Sequence, residues 1–232
     1  MNAETRPAVD VSVIMAVKNG ARFIDQALDS VEASSVMPRE VLVIDGGSTD
    51  ATHALVGRRP WATLVAQRST GIADAYNEAI TLARGDLVAF LSHDDLWAPQ
   101  KLARHVEAMA AQPRQAFTVS LVQHFLEPGA ETPPGFRAAL LDAPVAGFLM
   151  EALVARRSLF DAVGLFDPRF ATGEDTDWFA RVLDAGVPHA VIREVLVRKR
   201  VHATNASLND AATNANLLTA LRRSVERKRA ST

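Results

Sequence analysis

Cysteine is absent from the 232 residues, which excludes disulfides, thiolate nucleophiles and cysteine-based zinc sites together. No apolar run approaches the ~20 residues that a membrane-spanning helix needs. Met1 to Asp10 is polar and lacks the apolar centre of a secretory leader. These gaps give the expectation of a soluble, cytoplasmic chain. An excess of charge is missing too: 25 Lys and Arg face 27 Asp and Glu, which argues against a dedicated nucleic-acid binder. There is no G-x-G-x-x-G after the first apolar run and no Gly-Lys-Ser/Thr phosphate loop, so neither dinucleotide binding nor NTP hydrolysis of that type is indicated. No internal repeat appears at solenoid periods.

What is present fits one large α/β domain or two small ones. Val11 to Val17 is β-branched and apolar, as the first strand of a parallel sheet should be. Phe23, Ile24, Ala27, Leu28 and Val31 then recur at helical spacing. Further strands are expected at Val41–Ile44, Thr63–Ala66 and Leu87–Leu91. The helices between them are expected from Thr49 or Asp50 toward Val56 and over Ile72–Ala83, and one after Pro99 carries Leu102, Val106 and Met109 on one face. Strand alternating with helix four times predicts a doubly wound α/β/α sandwich with a mostly parallel central sheet. The second half is less regular. Phe117–Phe125, Met150–Arg156 and Ala190–Val201 read as strands, and Glu127–Pro144 reads as a Pro- and Gly-rich loop. Helices are expected before Val163, before Gly186, and over Leu217–Arg229.

The chemistry-bearing residues cluster at the predicted strand ends, where ligands of open α/β sheets sit. The apolar run Leu87 to Leu91 empties into Ser92-His93-Asp94-Asp95. Adjacent carboxylates there either hold a divalent cation or cap the next helix. Asp45 opens Asp-Gly-Gly-Ser-Thr-Asp, which is either a close approach to a ligand base or a Gly-rich turn with a helix cap. Asp175 shares a helical face with Trp178, Phe179 and Val182, so it points inward as a cap or as a base facing a cleft. His202 follows Arg198, Lys199 and Arg200, which are either counter-charges for a diphosphate or a solvated basic edge.

The order of these pieces resembles family 2 glycosyltransferases with the GT-A fold, over roughly Val11 to Ser207. The matching stretches are Val-Ser-Val-Ile-Met-Ala-Val-Lys-Asn-Gly, Asp-Gly-Gly-Ser-Thr-Asp-Ala-Thr, Gly-Ile-Ala-Asp-Ala-Tyr-Asn-Glu-Ala-Ile, Phe-Leu-Ser-His-Asp-Asp-Leu-Trp, Gly-Glu-Asp-Thr-Asp-Trp and Arg-Val-His-Ala-Thr-Asn-Ala-Ser. The resemblance implies transfer of a sugar, with inversion, from a nucleotide diphosphate donor such as a UDP-sugar to an acceptor hydroxyl. It implies that Ala16, Val17, Asp45 and Asn77 line or shape the nucleoside pocket and that Asp94 faces the ribose or the metal. Asp95 and His202 would hold Mn²⁺ or Mg²⁺, and Asp175 would be the base, with Glu174 beside it. The chain departs from the family pattern at Gly46, where many members carry a second Asp, and at Ser92, where many carry a further one.

Acceptors implied are a glycan, a lipid-linked group or a peptide, in cell-surface glycan synthesis, with Glu127–Pro144 as an acceptor wall or lid. Two other readings use the same residue types: a nucleotidyltransferase acting on a sugar phosphate, and a sugar-nucleotide binding module without turnover. Residues 1–210 form the expected transferase domain and 211–232 a basic amphipathic helix. That helix meets an anionic membrane surface, its own domain or a second subunit of a homodimer.

Overall fold

The computed structural model describes residues 8–205 and 210–230. Met1–Pro7, in the polar stretch at the start of the sequence, and Ala206-Ser207, at the end of the last motif, lie outside the described residues. The first half alternates strand and helix: β1 (Ala8–Val17), α1 (Ile24–Glu32), β2 (Met37–Asp45), α2 (Thr52–Val56), β3 (Ala62–Ala66), α3 (Ile72–Leu82) and β4 (Leu87–Phe90). Then come β5 (Leu96–Trp97), α4 (Lys101–Ala111), β6 (Phe117–Leu126), β7 (Val145–Ala146), β8 (Leu153–Arg156), α5 (Ser158–Val163), α6 (Glu174–Asp184), β9 (His189–Val201) and α7 (Asp210–Ala230). Glu127–Pro144 carries only a 3-10 turn, at Ala138–Leu140.

All strands join one sheet, ordered β3-β2-β1-β4-β8-β6-β9-β5, with β7 beside β6. The longest ladders, β1 on β2 and β6 on β9, are parallel. β8 is antiparallel to both of its neighbours, so it joins the two parallel halves. The alternation of β1 explains why it lies centrally. Val11, Val13, Met15 and Val17 face the layer that holds α1 and α4, with Leu28 and Leu102. Ile14 and Ala16 face the opposite layer, with Tyr76 of α3 and Trp178 of α6. A strand buried on both faces must be apolar throughout.

The second layer is aromatic. Trp178 is fully buried, stacks on Phe160 at 4.8 Å and meets Phe117 edge-on at 6.2 Å. Phe90 and Phe166 complete the cluster and fix α6 against the sheet.

Three sequence expectations shift. α2 begins at Thr52, because Asp50 is spent capping: its Oδ1 accepts from Thr52 N at 3.0 Å, and its Oδ2 accepts from Ala21 N across the gap. Met150–Ala152, expected as strand, forms a 3-10 turn ahead of β8. β5 and β7 have two residues each, too few to carry any periodicity.

Candidate active site

The carboxyl ends of β1 and β2 lie side by side, with Val17 in register with Asp45. The loops that follow are zipped together. Asn19, in the left-handed region at φ 54°, accepts from Thr49 N at 2.8 Å through its side chain, and Asn19 N donates to Ser48 Oγ at 2.7 Å. Gly20 N donates to Thr52 Oγ1 at 2.9 Å. A side chain at Gly20 would collide with Val17 and with His93, so the two strand ends close on a glycine. Ala16 and Val17 are 9% and 5% exposed and form the floor of this edge.

Asp45 is 4% exposed and already occupied. Its carboxylate accepts from Gly47 N at 3.1 Å, Ser48 N at 3.0 Å and His53 Nε2 at 2.8 Å. Burial opposes its ionisation, but these donors hold its pKa below the usual value. Of the two sequence readings, the geometry gives the Gly-rich turn: Asp45 organises the loop backbone.

At the exit of β4 the chain turns, Asp95 N donating to Ser92 O at 3.2 Å. The turn sends the two aspartates apart. Asp94, with its side chain 13% exposed, accepts from His202 Nε2 at 3.0 Å and from Asn205 Nδ2 at 3.3 Å. Burial would raise its pKa, but the His202 hydrogen bond and the charges of His93 and Lys199 hold it at about 2. Asp95 is fully buried. It accepts from Lys199 Nζ at 3.0 Å and Arg200 N at 2.7 Å. Burial pushes it up to about 7 against the pull of Lys199. The structure places the two Asp95 oxygens in contacts inside the fold, whereas Asp94, partly exposed, is the member of the pair that meets His202.

The donor set suits a hard divalent cation. Among the described residues no three His, Asp or Glu side chains form a closed metal cage. One carboxylate and one imidazole suffice where substrate phosphates complete the shell. His202 Nδ1 lies 2.8 Å from Thr204 Oγ1, a partner that accepts as well as donates. An arriving cation would displace the Nε2 proton shared with Asp94, and Thr204 Oγ1 would accept from a proton on Nδ1, so that Nε2 becomes a ligand atom.

Lys199 and Arg200 of β9 are neither a solvated edge nor loose counter-charges. Lys199 Nζ bridges Asp95 and Glu151, at 3.0 and 3.1 Å. Arg200 is 1% exposed between the rings of Phe23 and Phe125; it donates Nε to Asp94 O at 2.8 Å and pairs with Glu127. Arg198, exposed, covers Phe125.

α6 supplies the other end of the site. Gly173, at φ 76°, starts it in a left-handed conformation that favours glycine. Asp175 is half-buried and accepts from Thr176 N at 2.6 Å. Burial, and then the negative charge of Glu151, raises its pKa to about 6. Glu174 is 8% exposed and is pushed up to about 8 by burial and by Asp175. Both carboxyls feel Glu151 and Lys199, so the structure gathers Asp94, Asp95, His202, Glu174 and Asp175 into one electrostatic cluster.

Asn77 does not contact this cluster. Its Nδ2 donates to Phe166 O and its Oδ1 accepts from Phe166 N, both at 2.9 Å, so both ends of the amide are spent clamping α3 to the loop before α6. The contacts the structure gives Asn77 position that loop. Sequence reasoning missed Glu151, Lys199 as a bridge, and His93, which hydrogen-bonds the Ala16 backbone. The neighbours of Glu151 in sequence are apolar and carry no polar motif.

The fold and the cluster define a class. In the structure of Staphylococcus aureus TarS in complex with UDP-GlcNAc, the likeness covers 94% of this chain and 66% of that one, with a TM-score of 0.72 at 15% identity. The mannosyltransferase PcManGT from Pyrobaculum calidifontis, in complex with GDP-Man and Mn²⁺, gives a TM-score of 0.69 at 22% identity, over 97% and 66% of the two chains. The architecture is thus the GT-A α/β fold. In sequence, an uncharacterised glycosyltransferase of Rickettsia typhi is 28% identical over 221 residues, 86% of this chain and 67% of that protein. The glycosyl transferase family 2 model matches residues 12–164, and the chain belongs to that family. The curated relatives it matches are longer; the chain spans 67% of that one and 59% of a Mycobacterium tuberculosis relative.

Proposed function

We propose that the chain is a metal-dependent, inverting glycosyltransferase that moves a sugar from a nucleotide diphosphate donor, a UDP-sugar first among them, to an acceptor hydroxyl. The observation that carries this reading is the Asp94–His202 pair at 3.0 Å, joined through Asp95 and Lys199 to the cluster that holds Asp175. Asp94 is ionised throughout the working range, and with His202 it would hold Mn²⁺ or Mg²⁺. That ion, when bound, supplies Lewis-acid stabilisation to the departing diphosphate. The bound Mn²⁺ and nucleotide sugar of the Pyrobaculum enzyme support this assignment.

Ala16 and Val17 are the floor against which the nucleoside lies, with the zipped loops as its wall. Asp175, with its pKa near 6, is ionised at neutral pH yet basic enough to take the proton of an acceptor hydroxyl as that oxygen attacks the anomeric carbon. Glu174, raised further, holds its proton near neutrality and keeps a second negative charge away from the base. The acceptor is a glycan, lipid-linked group or peptide of cell-surface glycan synthesis, and Glu127–Pro144 forms its wall. We place the protein at the cytoplasmic face of the membrane, with α7 as its contact.

The test is a thermal-shift and calorimetric titration of UDP and GDP with and without Mn²⁺. Tight binding is expected only with the metal, and Asp94→Ala and His202→Ala should each weaken it tenfold or more. Equal metal-dependent binding by both variants would remove the assignment. Release of pyrophosphate from an NTP and sugar phosphate, in place of a nucleoside diphosphate, would point to a nucleotidyltransferase.

A further inference from the structure

We infer that Glu151 is a positioning residue for this site: from the 3-10 turn at Met150–Ala152 it locks Lys199 and Ser92 between the Asp94 and Asp175 ends of the cluster and acts on the transfer through them and through Asp175. The inference rests on the reading of Asp175 as the base. Glu151 is 7% exposed. Its Oε1 accepts from Ser92 Oγ and, at 3.1 Å, from Lys199 Nζ. Lys199 Nζ also reaches Asp95, Asp95 accepts from Arg200 N, and Arg200 Nε returns to Asp94 O. Ser92 and Asp94 belong to the same turn, so these contacts close a ring. Glu151 is the member contributed from outside the β4 and β9 segments, and it contacts both, Ser92 on one side and Lys199 on the other.

The second part of the argument is electrostatic. The Glu151 carboxylate is the largest through-space charge acting on Asp175, and it also faces Glu174 and Tyr76. Among the described residues, the charges acting on Asp175 are Glu151 from the 3-10 turn and Lys199 from β9; Glu174 on its own helix, which holds its proton near neutrality, and Tyr76, buried on α3, are titratable neighbours. Lys199 alone would draw Asp175 toward a weaker base, and Glu151 offsets it. A glutamine would fill the same space and still accept from Ser92 and Lys199 through its amide oxygen. What only glutamate supplies is the charge.

The experiment compares the pH dependence of kcat for the full chain and for Glu151→Gln, Glu151→Asp and Asp175→Asn. The wild-type acid limb is expected near pH 6. In Glu151→Gln it should move down by about half a pH unit or more, kcat at neutral pH should fall several-fold, and the donor KM should stay within about twofold. Glu151→Asp, which keeps the charge, should keep the limb. A Glu151→Gln limb that coincides with wild type, accompanied only by a lower melting temperature, would reduce Glu151 to a structural brace and overturn the inference. So would a wild-type limb near the ordinary aspartate value of ~3.9, a readout that needs no variant to fold. Asp175→Asn separates the two ideas: wild-type turnover there removes the base reading itself, whereas an inactive Asp175→Asn with an unmoved Glu151→Gln limb removes only the role of Glu151.

Discussion

Asp94 and Asp95 are chemically identical neighbours with opposite surroundings, so substitution should separate them. Asp94→Ala removes a partly exposed anion paired with His202. Asp95→Ala removes a counterion of Lys199 and an acceptor of Arg200 N inside the protein. Breaking a buried pair by deleting one partner costs on the order of 3–5 kcal/mol. Asp95→Ala is therefore expected to lower the urea midpoint sharply, while Asp94→Ala, which loses its His202 and Asn205 contacts near the surface, lowers it less and loses metal-dependent donor binding. The reverse pattern would return the metal role to Asp95. Asp175→Asn should cut turnover ~10²–10⁴-fold with the donor dissociation constant nearly unchanged. Wild-type kcat should fall as pH drops below about 6, because the base gains its proton there. The sequence singled out the candidates for this chemistry, since apolar strands ending in Asp are visible in one dimension. It did not show which aspartate of a pair turns inward. That is decided by Lys199 and Arg200, more than a hundred positions away.

At the scale of elements, the site depends on two devices that hold loops to helices. One is the zipper between the β1–α1 and β2–α2 loops, built from Asn19, Ser48, Asp50 and Thr52. The other is the Asn77 clamp on Phe166, which fixes the approach to Gly173 and hence to Asp175. Asn77→Ala deletes two hydrogen bonds and leaves the Phe166 backbone groups unpaired, at a cost of about 1–3 kcal/mol each. The expected result is a lower urea midpoint with donor affinity kept within a few-fold. A large loss of donor affinity with unchanged stability would restore Asn77 to the nucleoside pocket. The strand–helix alternation of the first half was legible because each element is long enough to show a period, as α1 and β1 do. Met150–Ala152 was not, since Met-Glu-Ala-Leu-Val-Ala reads as strand throughout. The 3-10 turn that buries Glu151 is imposed by its packing beside β4 and β6. β5 exists only because β9 extends far enough to pair with Leu96 and Trp97.

The whole molecule is a sheet with its candidate site at the carboxyl ends of its strands, and its last helix begins eight positions after His202. α7 seats on α6 through charge. Arg223 Nη1 donates to Asp167 Oδ2, Ser224 Oγ to Asp184 Oδ1 and Arg227 Nε to Asp184 Oδ2, each at 2.9 Å, while Ala220 is buried against the domain. Asn216 Nδ2 reaches Thr172 O at 2.7 Å, one residue before the glycine that starts α6. This seat leaves Leu218, Leu221 and Val225 56%, 54% and 49% exposed, flanked by the exposed Arg222 and Arg229. No helix among the described residues is long and apolar enough to cross a membrane. A short apolar stripe edged by arginine instead suits the boundary of an anionic bilayer, where apolar burial and attraction to headgroups act together. Wild-type protein is expected to cosediment with anionic vesicles at low salt and to be released as salt screens the arginines. Leu218→Ser with Leu221→Ser should stay in the supernatant and keep turnover on a soluble acceptor, because both side chains are exposed to solvent and neither belongs to the Asp94–Asp175 cluster. If the wild type instead ignores vesicles and runs as a dimer that the double variant dissolves, the stripe is a subunit interface and the membrane assignment ends there.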